Sequence, residues 1–244
     1  MDTWMGAQAV FAFLVVYFVF LLFAYWADPR FSLKYKRVPS FYYLFYISLL
    51  GTAVLLLPLV FLTFFFGGSI TTTFSIEDIS LTWYDILLGL LIGVALLLLL
   101  VILQALISVL RHKFFTNYKS IREQEVQKLI LGSLPSSRAK MLTMLSVTSV
   151  KAAIFEELTF RGYLLGNLLL LFSPALAIFV QAVFFFVGHL YQGIFNAITP
   201  LIYGIMLGLI FFLTSSLTIV MVAHFSGDVV ALIIQAMTMK KDKT

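Results

Sequence analysis

Cysteine is absent from this chain of 244 residues. That absence excludes disulfides, thiolate zinc sites and a cysteine nucleophile together. Charge is nearly as scarce. Asp, Glu, Lys and Arg make up 11% of the sequence, against roughly a quarter in a soluble globular domain. No basic residue precedes Arg30, so the first apolar stretch, about residues 4–27, has no basic n-region. It lacks a small-residue cleavage site as well, and reads as a span rather than a signal peptide. Inverted repeats of the kind that mark many secondary transporters are missing, as are low-complexity segments.

What remains is apolar. Hydrophobic residues make up 62% of the chain, and the mean hydropathy is +1.06. No soluble core hides that much apolar surface, so most of it must face lipid. The expected fold is all-α: a polytopic transmembrane helix bundle forming one integral membrane domain over residues 1–244. The length suits about seven spans of roughly 20 residues with short loops. Continuous apolar runs lie near 5–26, 41–66, 84–110, 174–190, 196–213 and 217–238, and a charge-interrupted run near 139–171 reads as one long helix. Asp28-Pro29, Pro39, Gly67-Gly68, Pro135 and Ser173-Pro174 punctuate them. Residues 1–113 then hold three N-terminal spans, 114–138 a cytoplasmic loop, and 139–240 the half that carries the chemistry. Within the loop, Phe114, Phe115, Tyr118, Ile121, Val126, Leu129 and Ile130 fall at helical spacing among bases. That pattern suits a helix on the inner leaflet or an ordinary solvated one.

The formal charge of +5 does not point to nucleic acid, because the bases sit in loops between apolar runs. Arg30, Lys34, Lys36 and Arg37 fall in the first loop. Arg111, Lys113, Lys119, Arg122, Lys128, Arg138 and Lys140 fall in or beside the third, and Lys240, Lys241 and Lys243 in the tail. Loop two has no base but carries Glu77 and Asp78. Cytoplasmic loops gather Lys and Arg, which predicts an outside N-terminus and a cytoplasmic C-terminus. Seven spans satisfy that parity.

Two bases are left inside the apolar runs, Lys151 and Arg161, together with Glu156, Glu157, Asp228, His189 and His224. Each charged form costs about 2.5–3.5 kcal/mol to insert, so such residues are rare and usually functional. All seven fall in the C-terminal half. Glu157 and Arg161 are four apart and stack on one helix face as a candidate ion pair, while Glu156 points about 100° away. His224 and Asp228 share a face by the same spacing, and so do Phe185 and His189. Polar stripes on three helices should converge, because lipid offers them no partner. If Lys151 snorkels to the inner interface, Glu156 lies roughly 8 Å inside it and His189 at nearly the same depth. Counted from Lys240, His224 lies roughly 24 Å in. That mismatch requires its helix to be tilted, broken or short, with Ser226-Gly227 as a candidate break. Asn196, Gln181, Gln192 and Tyr163 are candidates for lining a peptide channel.

A carboxylate and a histidine sharing one water can activate it by general base catalysis, and a second histidine can stabilise an oxyanion. Two histidines and a glutamate are equally a hydrolytic zinc set, so Glu156, His189 and His224 are the ligands if a divalent metal such as zinc is present. Both routes hydrolyse an amide without a serine or cysteine nucleophile. Glu156-Glu157-Leu158-Thr159-Phe160-Arg161 matches the EExxxR motif of the CAAX protease and bacteriocin-processing family. Phe185-Phe186-Val187-Gly188-His189 matches its FxxxH motif, and His224-Phe225-Ser226-Gly227-Asp228 its HxxxN/D motif. Over about residues 140–240 the chain therefore resembles that family, similar to the type II CAAX prenyl endopeptidases. The resemblance implies an intramembrane endopeptidase that cleaves a peptide precursor or a lipidated protein tail. It assigns Glu156 and His189 to water activation, His224 and Asp228 to the oxyanion, and Glu157, Arg161 and Phe185 to support. Asp228 departs from the Asn common at its position; ionised, it cannot donate to an oxyanion, so it either orients His224 or is protonated. The expected location is a bacterial plasma membrane. A non-catalytic membrane scaffold or bacteriocin-immunity protein that keeps the fold is the alternative, and the oligomeric state stays open.

Overall fold

A computed structural model describes residues 3–26, 41–114, 138–190 and 194–238. Among these the chain is entirely helical. Helix α1 covers Thr3–Trp26, α2 Phe41–Phe65, the short α3 Ile70–Thr73 and α4 Trp83–Phe114. Helix α5 begins as Arg138–Glu157 and continues as a π-helical stretch, Leu158–Leu165, with a last turn at Gly166–Leu168. Then come α6 (Pro174–His189), α7 (Ile194–Thr214) and α8 (Leu217–Thr238). The long helices coincide with the predicted apolar runs. Residues Thr3–Leu22, Trp83–Leu110 and Ile194–Thr214 are long and apolar enough to cross a membrane. Leu49–Phe65, Pro174–His189 and Leu217–Ala231 form shorter apolar helices. The inner-leaflet segment expected between Phe114 and Arg138 lies outside the described residues, as do Gln192, the first basic loop and the lysines of the tail.

Local chemistry sets the helix ends. The Thr82 hydroxyl accepts the Asp85 N–H at 3.1 Å and caps α4, with an acid in its first turn. Ser216 does the same for α8 through the Ile219 N–H at 3.2 Å, next to Ser215, which adopts a left-handed φ of 49° to reverse the chain after α7. Pro174 opens α6, where its missing N–H costs nothing.

Polarity is inside out. Leu91 on α4 is 70% exposed and Leu98 61%, whereas Arg161 and Glu157 are 0% exposed. A face of that kind suits lipid, with polar groups gathered where helices can satisfy them. Small residues let those helices approach. Gly89 and Gly93 of α4 lie against Ile219, Val222, Ala223 and Ser226 of α8. Gly204 and Gly208 of α7 lie against Ala182 and Gln181 of α6. Gly162 in the π-helical stretch meets the backbone carbonyl of Phe74 in the segment after α2, and Gly166 faces Ser75. Each pair is a Gly-x-x-x-Gly repeat, the spacing that brings membrane helices close.

The π-helical stretch is supported from the side. Thr159 Oγ1 donates to the Phe155 carbonyl (2.7 Å), Asn167 Nδ2 to those of Tyr163 (2.6 Å) and Thr73 (3.2 Å), and Ser75 Oγ to that of Gly162 (3.3 Å). Side-chain donors thus serve carbonyls in and beside a stretch whose backbone departs from the i→i−4 pattern. Such stretches are frequent at functional sites, and this one begins directly after Glu157.

Candidate functional site

Three of the four longest C-terminal segments contribute. Glu156 and Glu157 end the α-helical part of α5, His189 is the last residue of α6, and His224 and Asp228 lie on α8. The closest polar contact among them joins α5 to α8: His224 Nδ1 stands 2.6 Å from Glu157 Oε1. The same carboxylate oxygen accepts from Arg161 Nη1 at 2.9 Å. Arg161 is also held by the Gly204 carbonyl of α7 through Nη2 at 3.3 Å, and its guanidinium lies over the Phe185 ring, 5.0 Å from the centroid. Four helices therefore meet at one fully buried ion pair.

Glu156, on the other side of the helix, is half-buried. Its charge acts on His224 and Asp228 of α8, Tyr203 of α7, Lys151 and Tyr17. His189 places Nδ1 2.7 Å from the Phe185 carbonyl one turn earlier, and its ring packs on Phe185 with centroids 4.5 Å apart. A carbonyl and a carboxylate only accept, so in both histidines Nδ1 carries a proton. Nε2 is then the nitrogen that each ring leaves for a further partner.

Asp228 does not hold the His224 ring by a hydrogen bond. Its Oδ2 lies 3.8 Å from Nε2, whereas Glu157 takes Nδ1 directly. The reach of an i,i+4 carboxylate falls short of a ring already turned toward a neighbouring helix. His224 and Glu157 meet across the two helices whatever depth the count of residues assigns them. Lys151 Nζ reaches Thr52 Oγ1 of α2 at 3.4 Å, and α5 extends to Arg138 beyond it. Helix α8 runs unbroken through Ser226-Gly227, so the break expected there is absent. Two of the supposed channel residues are helix ties instead. Gln181 Nε2, 0% exposed, donates to the carbonyls of Gly204 (2.8 Å) and Ile178 (3.2 Å), and Tyr163 Oη donates to that of Ala9 (3.1 Å). Among the described residues no three His, Asp or Glu side chains form a group that could hold a metal ion, and Glu156, His189 and His224 make no exception.

The sequence reading missed what the N-terminal half brings. Phe13 and Tyr17 of α1 are buried among Phe160 and Phe184, with Tyr17 edge-on to both at 6.2 and 5.4 Å. Tyr17 Oη donates to the Phe184 carbonyl at 2.5 Å, on the turn of α6 that ends in His189. Gly188 leaves room for it, since a Cβ there would stand 2.9 Å from that hydroxyl. A tyrosine inside an otherwise apolar run was the available signal. Tyr17→Phe keeps the ring and removes one buried hydrogen bond. It should cost about 0.5–1.5 kcal/mol, read as a lower unfolding temperature in detergent.

No curated protein and no solved structure matches this chain. A family model does match, over residues 138–230, a segment that contains all three motifs and leaves out α1, α2 and α4. Over residues 138–230 the chain is thus similar to the family described as type II CAAX prenyl endopeptidase Rce1-like.

Proposed function

We propose that this protein is an intramembrane endopeptidase that hydrolyses a peptide bond with a water activated by Glu156 and His189. The observation that carries the proposal is the joining of the first and third motifs across helices at Glu157 and His224, with the Glu156 charge acting on that same histidine. The peptidase character of the Rce1-like family supports it. Glu156 takes a proton from water, and the hydroxide oxygen bonds to the substrate carbonyl carbon. The carbonyl oxygen becomes an oxyanion beside His224. Collapse then breaks the C–N bond, and the proton held by Glu156 passes to the leaving amine. His189, fixed as the Nδ1–H tautomer, offers Nε2 as a second acceptor for the water. Donation to the oxyanion through Nε2 of His224 requires that ring to carry both protons. Glu157 and Arg161 orient His224 and touch no substrate. No step is routed through a metal, because the three candidate ligands do not form a site.

The substrates we propose are a peptide precursor or the tail of a lipidated protein. The proposed topology has seven spans in a bacterial plasma membrane, with the substrate entrance on the cytoplasmic side; the loop charges support a cytoplasmic C-terminus. Reconstituted wild type and Glu156→Gln, incubated with lipidated and unlipidated candidate peptides, test the reading by mass spectrometry. Loss of a general base typically costs 10²–10⁴-fold in rate. Cleavage at equal rates by both proteins overturns the mechanism, and no cleavage by either returns the chain to a non-catalytic scaffold.

A further inference from the structure

Tyr203 belongs to none of the three motifs. It lies on α7, 9% exposed, with its ring edge-on to His224 at 5.3 Å between centroids and an interplanar angle of 89°. Its hydroxyl is buried and makes no hydrogen bond. It reaches α8 beside the Asp228 end of the third motif: a Cβ on Gly227 would stand 3.3 Å from Tyr203 Oη, so glycine keeps that space open. The charges of Asp228, Glu157, Arg161 and Glu156 all act on the hydroxyl. Leaving a buried donor unmet costs about 1–3 kcal/mol, a cost that a ligand atom can relieve.

The other groups around His224 are poorly suited to donate. An ionised carboxylate only accepts, which removes Asp228, and a His224 with a single proton on Nδ1 presents a lone pair at Nε2. Arg161 gives Nη1 to Glu157 and Nη2 to the Gly204 carbonyl, and its Nε, though without a partner, sits on a side chain that is 0% exposed. We propose that Tyr203 is a catalytic residue whose Oη–H donates to the substrate carbonyl oxygen and to the oxyanion it becomes. The proposal rests on the peptidase reading and adds to it the neutral donor for the developing negative charge. A phenol donates without needing an extra proton, so it serves in either protonation state of His224. The bond strengthens as charge builds on the oxygen, which is the condition for lowering the barrier rather than tightening substrate binding.

Tyr203→Phe tests this, because the two roles open to the hydroxyl predict opposite outcomes. A structural hydroxyl would take stability with it when removed. Deleting an unpartnered one leaves the unfolding temperature unchanged or raises it. The expected result is a kcat lower by about 10²–10³-fold with KM within about twofold, the size typical of one lost oxyanion donor. A phosphinate analogue of the cleaved peptide should bind more weakly by a similar factor, while the uncleaved peptide binds to Glu156→Gln enzyme with or without Tyr203→Phe equally well. Full activity in Tyr203→Phe overturns the proposal, and so does a loss of activity that runs parallel to a loss of stability. Wild type and Glu156→Gln in the same assay separate the two failures: cleavage by wild type alone keeps the peptidase reading whatever Tyr203→Phe does. Absence of cleavage by wild type removes both.

Discussion

Arg161→Met is expected to destabilise the protein by about 3–5 kcal/mol and to abolish its accumulation in the membrane, because it leaves the buried Glu157 charge without its counter-ion. Both side chains are 0% exposed. The guanidinium also ties α5 to the Gly204 carbonyl of α7 and covers Phe185 of α6, so three helices lose a shared contact. Arg161→Lys will not substitute, since one ammonium cannot reproduce the planar fork that spans Glu157 Oε1 and the Gly204 carbonyl. The double variant Glu157→Leu with Arg161→Met should recover most of the stability, because a buried pair replaced by apolar groups of similar volume is often neutral. It should recover little activity. Without Glu157, nothing among the described residues takes the His224 Nδ1 proton, and the ring is free to adopt the other tautomer. Thermal unfolding in detergent and peptide cleavage are the two measurements. Arg161→Met as stable as wild type would show that the pair is dispensable, and an active double variant would remove Glu157 from the orientation of His224.

Gly93→Ala carries the second large effect, from outside the family-matched segment. A Cβ at Gly93 would occupy the space of Ser226 Oγ and of the Ala223 carbonyl oxygen. Ser226 can be shortened; the backbone carbonyl cannot move without moving α8. Overpacking of this kind typically costs about 1–3 kcal/mol. The displaced helix carries His224, the residue next to Ala223, whose ring has a 2.6 Å contact with Glu157 to lose. Activity should therefore fall further than the stability loss explains, and Ser226→Gly should rescue Gly93→Ala only in part. Gly93→Ala with unchanged unfolding temperature and cleavage rate would mean that α4 and α8 part without consequence. Gly89 is a milder case of the same contact, facing Val222 and the Ile219 carbonyl.

Much of the site was legible before any coordinates. Glu157 and Arg161 four apart in an apolar run predicted an ion pair, and the pair is present at 2.9 Å. Three polar stripes predict convergence, and two of them, on α5 and α8, meet at Glu157 and His224, while His189 contacts the carbonyl and ring of Phe185 on its own helix. The reading failed where it leaned on a single element. Asp228, four residues from His224, is expected either to orient it or to be protonated, and the carboxylate at hydrogen-bond distance is Glu157 from another helix. Gln181 and Tyr163 were offered as channel residues and serve as ties between helices. The glycine repeats at 89 and 93, 162 and 166, and 204 and 208 stood in the sequence as a packing signal that went unused.

The sequence alone determined that the protein is helical, that it belongs in lipid, and which few ionisable groups must be sheltered. Those conclusions follow from transfer free energies and helical periodicity, which are properties of a single chain segment read in order. Which sheltered groups meet was decided only by the tertiary structure. Partner choice depends on the distance between side chains of different helices, and that distance is set by close glycine contacts and by aromatic rings from α1. Glu157 rather than Asp228 holds His224 for this reason, and Tyr203 stands beside them although no motif includes it.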